Sequence, residues 1–163
     1  MTLEAGKAAP AFSLQTGDGT AVSLKQFRGK TVVLYFYPKD DTPGCTKEAC
    51  SFRDSQADIK RAGAVVLGIS GDDEASHKKF SEKYHLTFPL LADPGWSTAK
   101  AYGVYKQKSM YGKTFWGIER TTFIIDASGR IAKIFPRVKV DGHVDEVLAA
   151  LQSLDSAQSI SAA

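Results

Sequence analysis

Cys45 and Cys50 are the two cysteines of this 163-residue sequence and the side chains in it best suited to covalent chemistry. A cysteine reacts as its thiolate, so the deciding question is what stabilises negative charge on sulfur. Cys45 follows Thr42-Pro43-Gly44, where Thr42 suits an N-cap and Pro43 a first helical position. Lys47, Glu48 and Ala49 continue as good helix formers, and the helix is predicted to extend to about Arg61. Cys45 then lies in the first helical turn, where unpaired backbone amides and the positive end of the helix dipole favour a thiolate. The amides around Thr42, Gly44 and Cys45 can also hold an anionic or oxygen-rich ligand, and Gly44 lets it approach the backbone. The competing reading, a small buried apolar residue, is disfavoured by that helix-start position.

The elements around this junction position it. Thr31 to Phe36 is a continuous β-branched and aromatic run, as expected of a central strand covered on both faces, and Pro38 cannot continue its ladder. Before it, Ala11 to Gln15 and Ala21 to Leu24 flank a Thr-Gly-Asp-Gly-Thr turn cluster and predict a short hairpin. After it, Ala64 to Ser70 is a second buried-strand run and Asp72 to Tyr84 a helix opened by acidic residues. Strand, helix, strand, helix implies parallel pairing. Phe88 to Ala92 predicts a short strand with Pro89 at its entrance, and Ser97 to Tyr102 a helix with Trp96 near its start. His77 and His85 are assigned to solvated surface and given no chemistry.

Gly103 to Gly117 mixes Tyr105, Tyr111, Phe115 and Trp116 with three lysines. Base stacking with phosphate contacts is one reading; a loop with core-facing aromatics is preferred because the chain is nearly neutral. Thr121 to Ile125 and Ile131 to Phe135 predict a hairpin through Asp126-Ala-Ser-Gly129, with Arg120 immediately before it. Val144, Val147, Leu148 and Leu151 mark a final amphipathic helix, and residues 155–163 are expected to form a loose tail. The length suits one domain, 1–163, with a full core.

Composition narrows the classes. Lys and Arg number 21 against 18 Asp and Glu, a formal charge of +3, so nucleic-acid binding is not indicated. Two cysteines and three histidines form neither a disulfide framework nor a zinc-ligand spacing. The start has no apolar core of signal-peptide length, no run approaches the roughly 18 apolar residues of a membrane helix, and asparagine, hence any N-glycosylation acceptor, is absent. A cytoplasmic protein with reduced thiols is the default reading.

Pro38, Thr42 and Cys45 stand in a Pro-x-x-x-Thr-x-x-Cys spacing that resembles the peroxiredoxins, the cysteine-based peroxidases. Thr-Pro-Gly-Cys followed by Ala-Cys is similar to their bacterioferritin-comigratory-protein or Q-type branch, and Arg-Thr-Thr-Phe-Ile-Ile-Asp at 120–126 strengthens the likeness. It extends from about Phe12 to Leu154. The resemblance implies an α/β, thioredoxin-like fold with a central mixed sheet flanked by helices and an N-terminal hairpin extension. It implies that Cys45 attacks hydrogen peroxide or an organic hydroperoxide, and that Thr42 hydrogen-bonds the thiolate or peroxide. Arg120 would support thiolate and transition-state charge, and Pro38 would shield the site. Cys50 would resolve the Cys45 sulfenic acid as a disulfide that thioredoxin or a similar dithiol reduces, in a monomer, with no bound cofactor or metal.

Three rivals stand beside it. A thioredoxin-like disulfide carrier uses Cys-x-x-Cys, whereas four residues separate Cys45 from Cys50. A cysteine hydrolase would pair Cys45 with His143 and Asp141 or Asp145, with His143 expected in a turn before the last helix. A redox sensor would pass oxidation to a partner instead of turning over.

Overall fold

A computed structural model describes residues 3–162, with side chains through Leu154. In chain order the elements are β1 (Ser13–Gln15), β2 (Ala21–Ser23), β3 (Thr31–Phe36), α1 (Pro43–Asp54), α2 (Gln56–Arg61), β4 (Ala64–Ser70) and α3 (Glu74–Tyr84). There follow β5 (Leu90–Ala92), α4 (Ser97–Ala101), β6 (Tyr105–Met110), β7 (Lys113–Ile118), β8 (Thr121–Ile125), β9 (Ile131–Phe135) and α5 (His143–Ala162).

Seven strands make one mixed sheet in the order β2-β1-β5-β4-β3-β8-β9. β3 pairs in parallel with β4 and antiparallel with β8, which puts it inside the sheet and explains why all six of its residues are buried. Alternation divides those side chains between two cores. Val32, Leu34 and Phe36 join Leu67, Ile69, Tyr102 and Phe123 on one face. Val33 and Tyr35 join Cys45, Ala49, Phe52, Ile59, Val147 and Leu151 on the other. The cysteine helix is therefore nailed to the sheet through Ala49 and Phe52, with the Phe52 ring stacked on Tyr35 at 4.8 Å. The hairpin extension adds Phe12, Val22 and Leu24 to the first core, and its β1 meets β5 at one register pair.

Four expectations change. The helix predicted to reach Arg61 breaks at Ser55, where ψ is 10°. Serine's preference for turn-like backbone accounts for the interruption, and α2 restarts with Ile59 in the core. Gly103 to Gly117 is not a loop with core-facing aromatics, because β6 and β7 form a separate two-stranded hairpin. Tyr111 at its turn is 97% exposed and Trp116 58%; stacking of Trp116 on Tyr105 at 5.6 Å supplies locally what burial does not. α5 runs on through Ala162 where a loose tail after Leu154 was predicted, the alanine-containing segment favouring continued helix. His77, assigned to solvated surface, is wholly buried, whereas His85 is exposed and closes α3 in the left-handed region at φ 51°.

Candidate active site

The chain leaves β3 through Tyr37 and crosses a loop, Pro38 to Asp41, before α1 begins. Asp40 fixes that loop. Its buried carboxylate accepts hydrogen bonds from the Tyr37 hydroxyl at 2.6 Å and Ser76 Oγ at 2.8 Å, and His77 Nδ1 lies 2.6 Å from it. His77 Nε2 lies 3.0 Å from the Leu91 carbonyl, so each ring nitrogen faces an oxygen. The Asp40 amide donates to Asp72 at 2.8 Å, and Ser70 Oγ donates to the same Asp72 oxygen. Hence Asp72, expected among the acidic residues opening α3, turns inward. Asp73 serves as the N-cap instead, accepting from the Ser76 amide at 2.8 Å. Asp40, Asp72 and His77 cluster tightly enough to suggest a cation site, but protein hydrogen bonds engage their facing atoms and the cluster clamps the loop to α3.

Thr42 occupies the N-cap position and Pro43 the first helical one, as predicted. The Thr42 carbonyl accepts the first helical bond, from the Thr46 amide at 2.8 Å, which leaves the amides of Gly44 and Cys45 before it at the open end. The Thr42 side chain does not cap the helix; its hydroxyl donates to the Lys39 carbonyl at 2.9 Å. Pro38, half-buried, lies in that loop, two residues beyond the end of β3.

Cys45 is 2% exposed, and its Sγ accepts a hydrogen bond from Arg120 Nη2 at 3.2 Å. The close approach that Gly44 permits is that of the same guanidinium, since a Cβ at Gly44 would lie 3.2 Å from Nη2. Arg120 reaches the sulfur because β8, antiparallel to β3, begins one residue later, with Thr121 opposite Phe36. Its other arm, Nη1, donates to Glu48 Oε1 at 2.6 Å. Burial works against the Arg120 charge, but Glu48 and Cys45 outweigh it and its pKa is raised. Sequence reasoning missed Glu48. The available signal was its spacing, one helical turn after Cys45 and therefore on the same face.

Cys50 lies on α1, half-buried, and both thiols are free. His143 is not in a preceding turn; it is the first residue of α5 and is buried. Its Nε2 lies 2.8 Å from Thr122 Oγ1 and its Nδ1 3.5 Å from Glu146, and burial, with Arg120 adding to it, lowers its pKa. Asp141 pairs with Lys47 at the surface. The hydrolase arrangement thus lacks the contact between nucleophile and base that it needs.

The sequence profile of the AhpC/TSA family matches residues 5–134. A bcp protein of Coxiella burnetii is 53% identical to this chain over 93% of it and 100% of its own length. The peroxiredoxin Bcp of Bacillus subtilis is 47% identical over 94% of this chain and 98% of its own. Among solved structures, the bacterioferritin comigratory protein of Xanthomonas campestris, described with alkyl peroxide reduction activity, superposes with a TM-score of 0.87 at 40% identity. That superposition covers 93% of this chain and 99% of the other.

Proposed function

This chain belongs to the AhpC/TSA family, with Bcp and peroxiredoxin Q proteins as its relatives, and from that membership we propose that it is a thiol peroxidase whose nucleophile is Cys45. The observation that carries the reading is the 3.2 Å hydrogen bond from Arg120 to a sulfur seated in the first turn of a helix. In the reaction the Cys45 thiolate attacks the terminal oxygen of hydrogen peroxide or an organic hydroperoxide. An S–O bond forms, the O–O bond breaks, and the departing oxygen takes a proton to leave as water or an alcohol. Arg120 and the amides at the start of α1 face the charge that develops. With its proton committed to Lys39, Thr42 Oγ1 accepts the O–H of the hydroperoxide, and Pro38 shields the sulfur.

Cys50 then attacks the sulfenic sulfur, expelling water and forming a Cys45–Cys50 disulfide, which thioredoxin or a similar dithiol reduces with two electrons. We assign this cycle to a cytoplasmic monomer, consistent with the reduced thiols it requires. No helix among the described residues is long and apolar enough to cross a membrane. The test is peroxide consumption coupled to thioredoxin oxidation, run with hydrogen peroxide and with a bulky organic hydroperoxide. Steady turnover separates the enzyme from a redox sensor; no turnover with any peroxide and dithiol overturns the reading.

Cys50→Ser is expected to consume about one peroxide per molecule through Cys45 and then stall, because the resolving thiol is gone. Unchanged thioredoxin-linked cycling would assign resolution to another thiol.

Disulfide formation must also open α1. Five residues of ideal helix separate the two Cα atoms by roughly 8.6 Å, beyond the limit of about 7 Å for a disulfide without backbone movement. The Asp40 clamp bounds the opening on one side and the buried Phe52 on the other. Hydrogen exchange should therefore rise on oxidation between Thr42 and Phe52 while β3 and β8 stay protected. An unchanged helix in a protein whose Cys45–Cys50 bond is verified by mass spectrometry would refute this motion.

A further inference from the structure

Arg120 serves two acids at once. Nη2 donates to Cys45 Sγ and Nη1 to Glu48 Oε1, and Glu48 is 0% exposed. The second Glu48 oxygen, Oε2, has no hydrogen-bond partner; among the described residues the Tyr35 hydroxyl is the one other buried side-chain polar atom in that condition. A carboxylate with one bare oxygen is the form that burial penalises, whereas an acid carrying its proton on that oxygen is neutral. Burial accordingly pushes the Glu48 carboxyl up to about 7 against the pull of Arg120.

The other groups facing the pair leave Arg120 as its source of positive charge. Tyr35 from β3 is held neutral, its pKa raised by burial first and then by Glu48 and Cys45. Asp40, in the loop before α1, adds negative charge on the Tyr35 side. His143 from α5 is shifted toward its neutral form by burial, and α2 sends the apolar Ile59 into the shared core. One guanidinium does not compensate two buried anions.

We propose that Glu48 is a positioning residue that exchanges one proton with Cys45 across Arg120, so that ionisation of the thiol is matched by protonation of Glu48 Oε2. The step balances internally: the Cys45 S–H bond breaks, a Glu48 O–H bond forms, and no electrons are gained or lost. With the proton on Glu48, the guanidinium directs its charge to sulfur; with Glu48 ionised, the carboxylate competes for it and the thiol is favoured. The proposal rests on the peroxidase reading for why the thiolate matters, but its test needs no peroxide.

The experiment is a pH titration of the full-length reduced protein carrying Cys50→Ser throughout, so that Cys45 is its one thiol, followed by thiolate ultraviolet absorbance and by the infrared carboxylic-acid C=O stretch. With Cys45 and Glu48 both in place the thiolate signal should grow in two coupled steps, with the acid band persisting beyond the first. Glu48→Gln keeps an acceptor for Nη1 and cannot take a proton. It should show a single step, with half-formation of the thiolate moved down by about one pH unit. Linkage is reciprocal, so Cys45→Ser should lose the acid band at lower pH than the protein that keeps Cys45, and this arm carries the test should Glu48→Gln fail to fold. A thiolate curve left unchanged by Glu48→Gln, an acid band lost at the same pH with and without Cys45, or no acid band once the thiolate has formed overturns the proposal. A protein that passes these tests yet consumes no peroxide would sink the peroxidase reading and leave the proton exchange standing.

Discussion

Cys45→Ser abolishes peroxide reduction while the protein stays folded: that is the largest effect expected of any single substitution here. The sulfur is replaced by an atom of similar shape in a site that is 2% exposed, and a hydroxyl can still accept the hydrogen bond that Arg120 gives to sulfur at 3.2 Å. Packing around Ala49 and Phe52 is untouched, so the melting temperature should stay close to that of the unsubstituted protein. The chemistry is lost because a neutral serine hydroxyl is not ionised by the surroundings that suffice for a thiol, and an alkoxide has no counterpart to the reversible sulfenic state. Stopped-flow peroxide consumption should fall to background, and the mass of the intact variant should gain no oxygen at residue 45 after peroxide treatment. Residual turnover at a substantial fraction of the original rate would move the nucleophile to Cys50 and undo the assignment.

The parts of this arrangement that could be read from the sequence are those fixed by local pattern. β3 and β4 match their predicted bounds because an uninterrupted β-branched and aromatic run has few other places to go than the middle of a sheet. The start of α1 was legible because Thr42-Pro43 announces it, whereas Arg120 was singled out by the resemblance, since a place before a strand does not by itself separate it from a surface arginine. Periodicity has no means of reporting that a polar side chain has found a distant partner. His77 lies 37 residues from Asp40 in sequence, yet their facing atoms are 2.6 Å apart; a lone histidine in a charged helix gives no hint of that pairing. Glu48 failed for a related reason. Its carboxylate is buried because an arginine 72 residues away comes back to meet it. The β6–β7 hairpin was misread because aromatic residues ordinarily predict burial, whereas here they stack on one another over an exposed ribbon.

Arg120→Ala should slow Cys45 oxidation by roughly 10²–10³-fold, by comparison with the loss of one positioned donor from other oxyanion sites. Two separable causes contribute. The sulfur loses a nearby cation, so less of it is thiolate at a given pH, and the developing charge on the departing oxygen loses a fixed donor. Raising the pH restores the first and cannot restore the second, so the rate measured with Cys45 fully ionised isolates the transition-state share. Glu48 adds a further consequence. Without Arg120 its carboxyl, already up to about 7, loses the group that opposes burial and moves higher still. It then remains a neutral acid through the working range and does not add a second anion beside sulfur, so the alanine variant can still fold. Arg120→Lys returns a charge without the planar fork that reaches Cys45 and Glu48 together, and should recover thiolate formation more fully than the rate at saturating pH. An alanine variant whose oxidation rate and thiolate titration both match those of the unsubstituted protein would reduce Arg120 to a structural partner of Glu48.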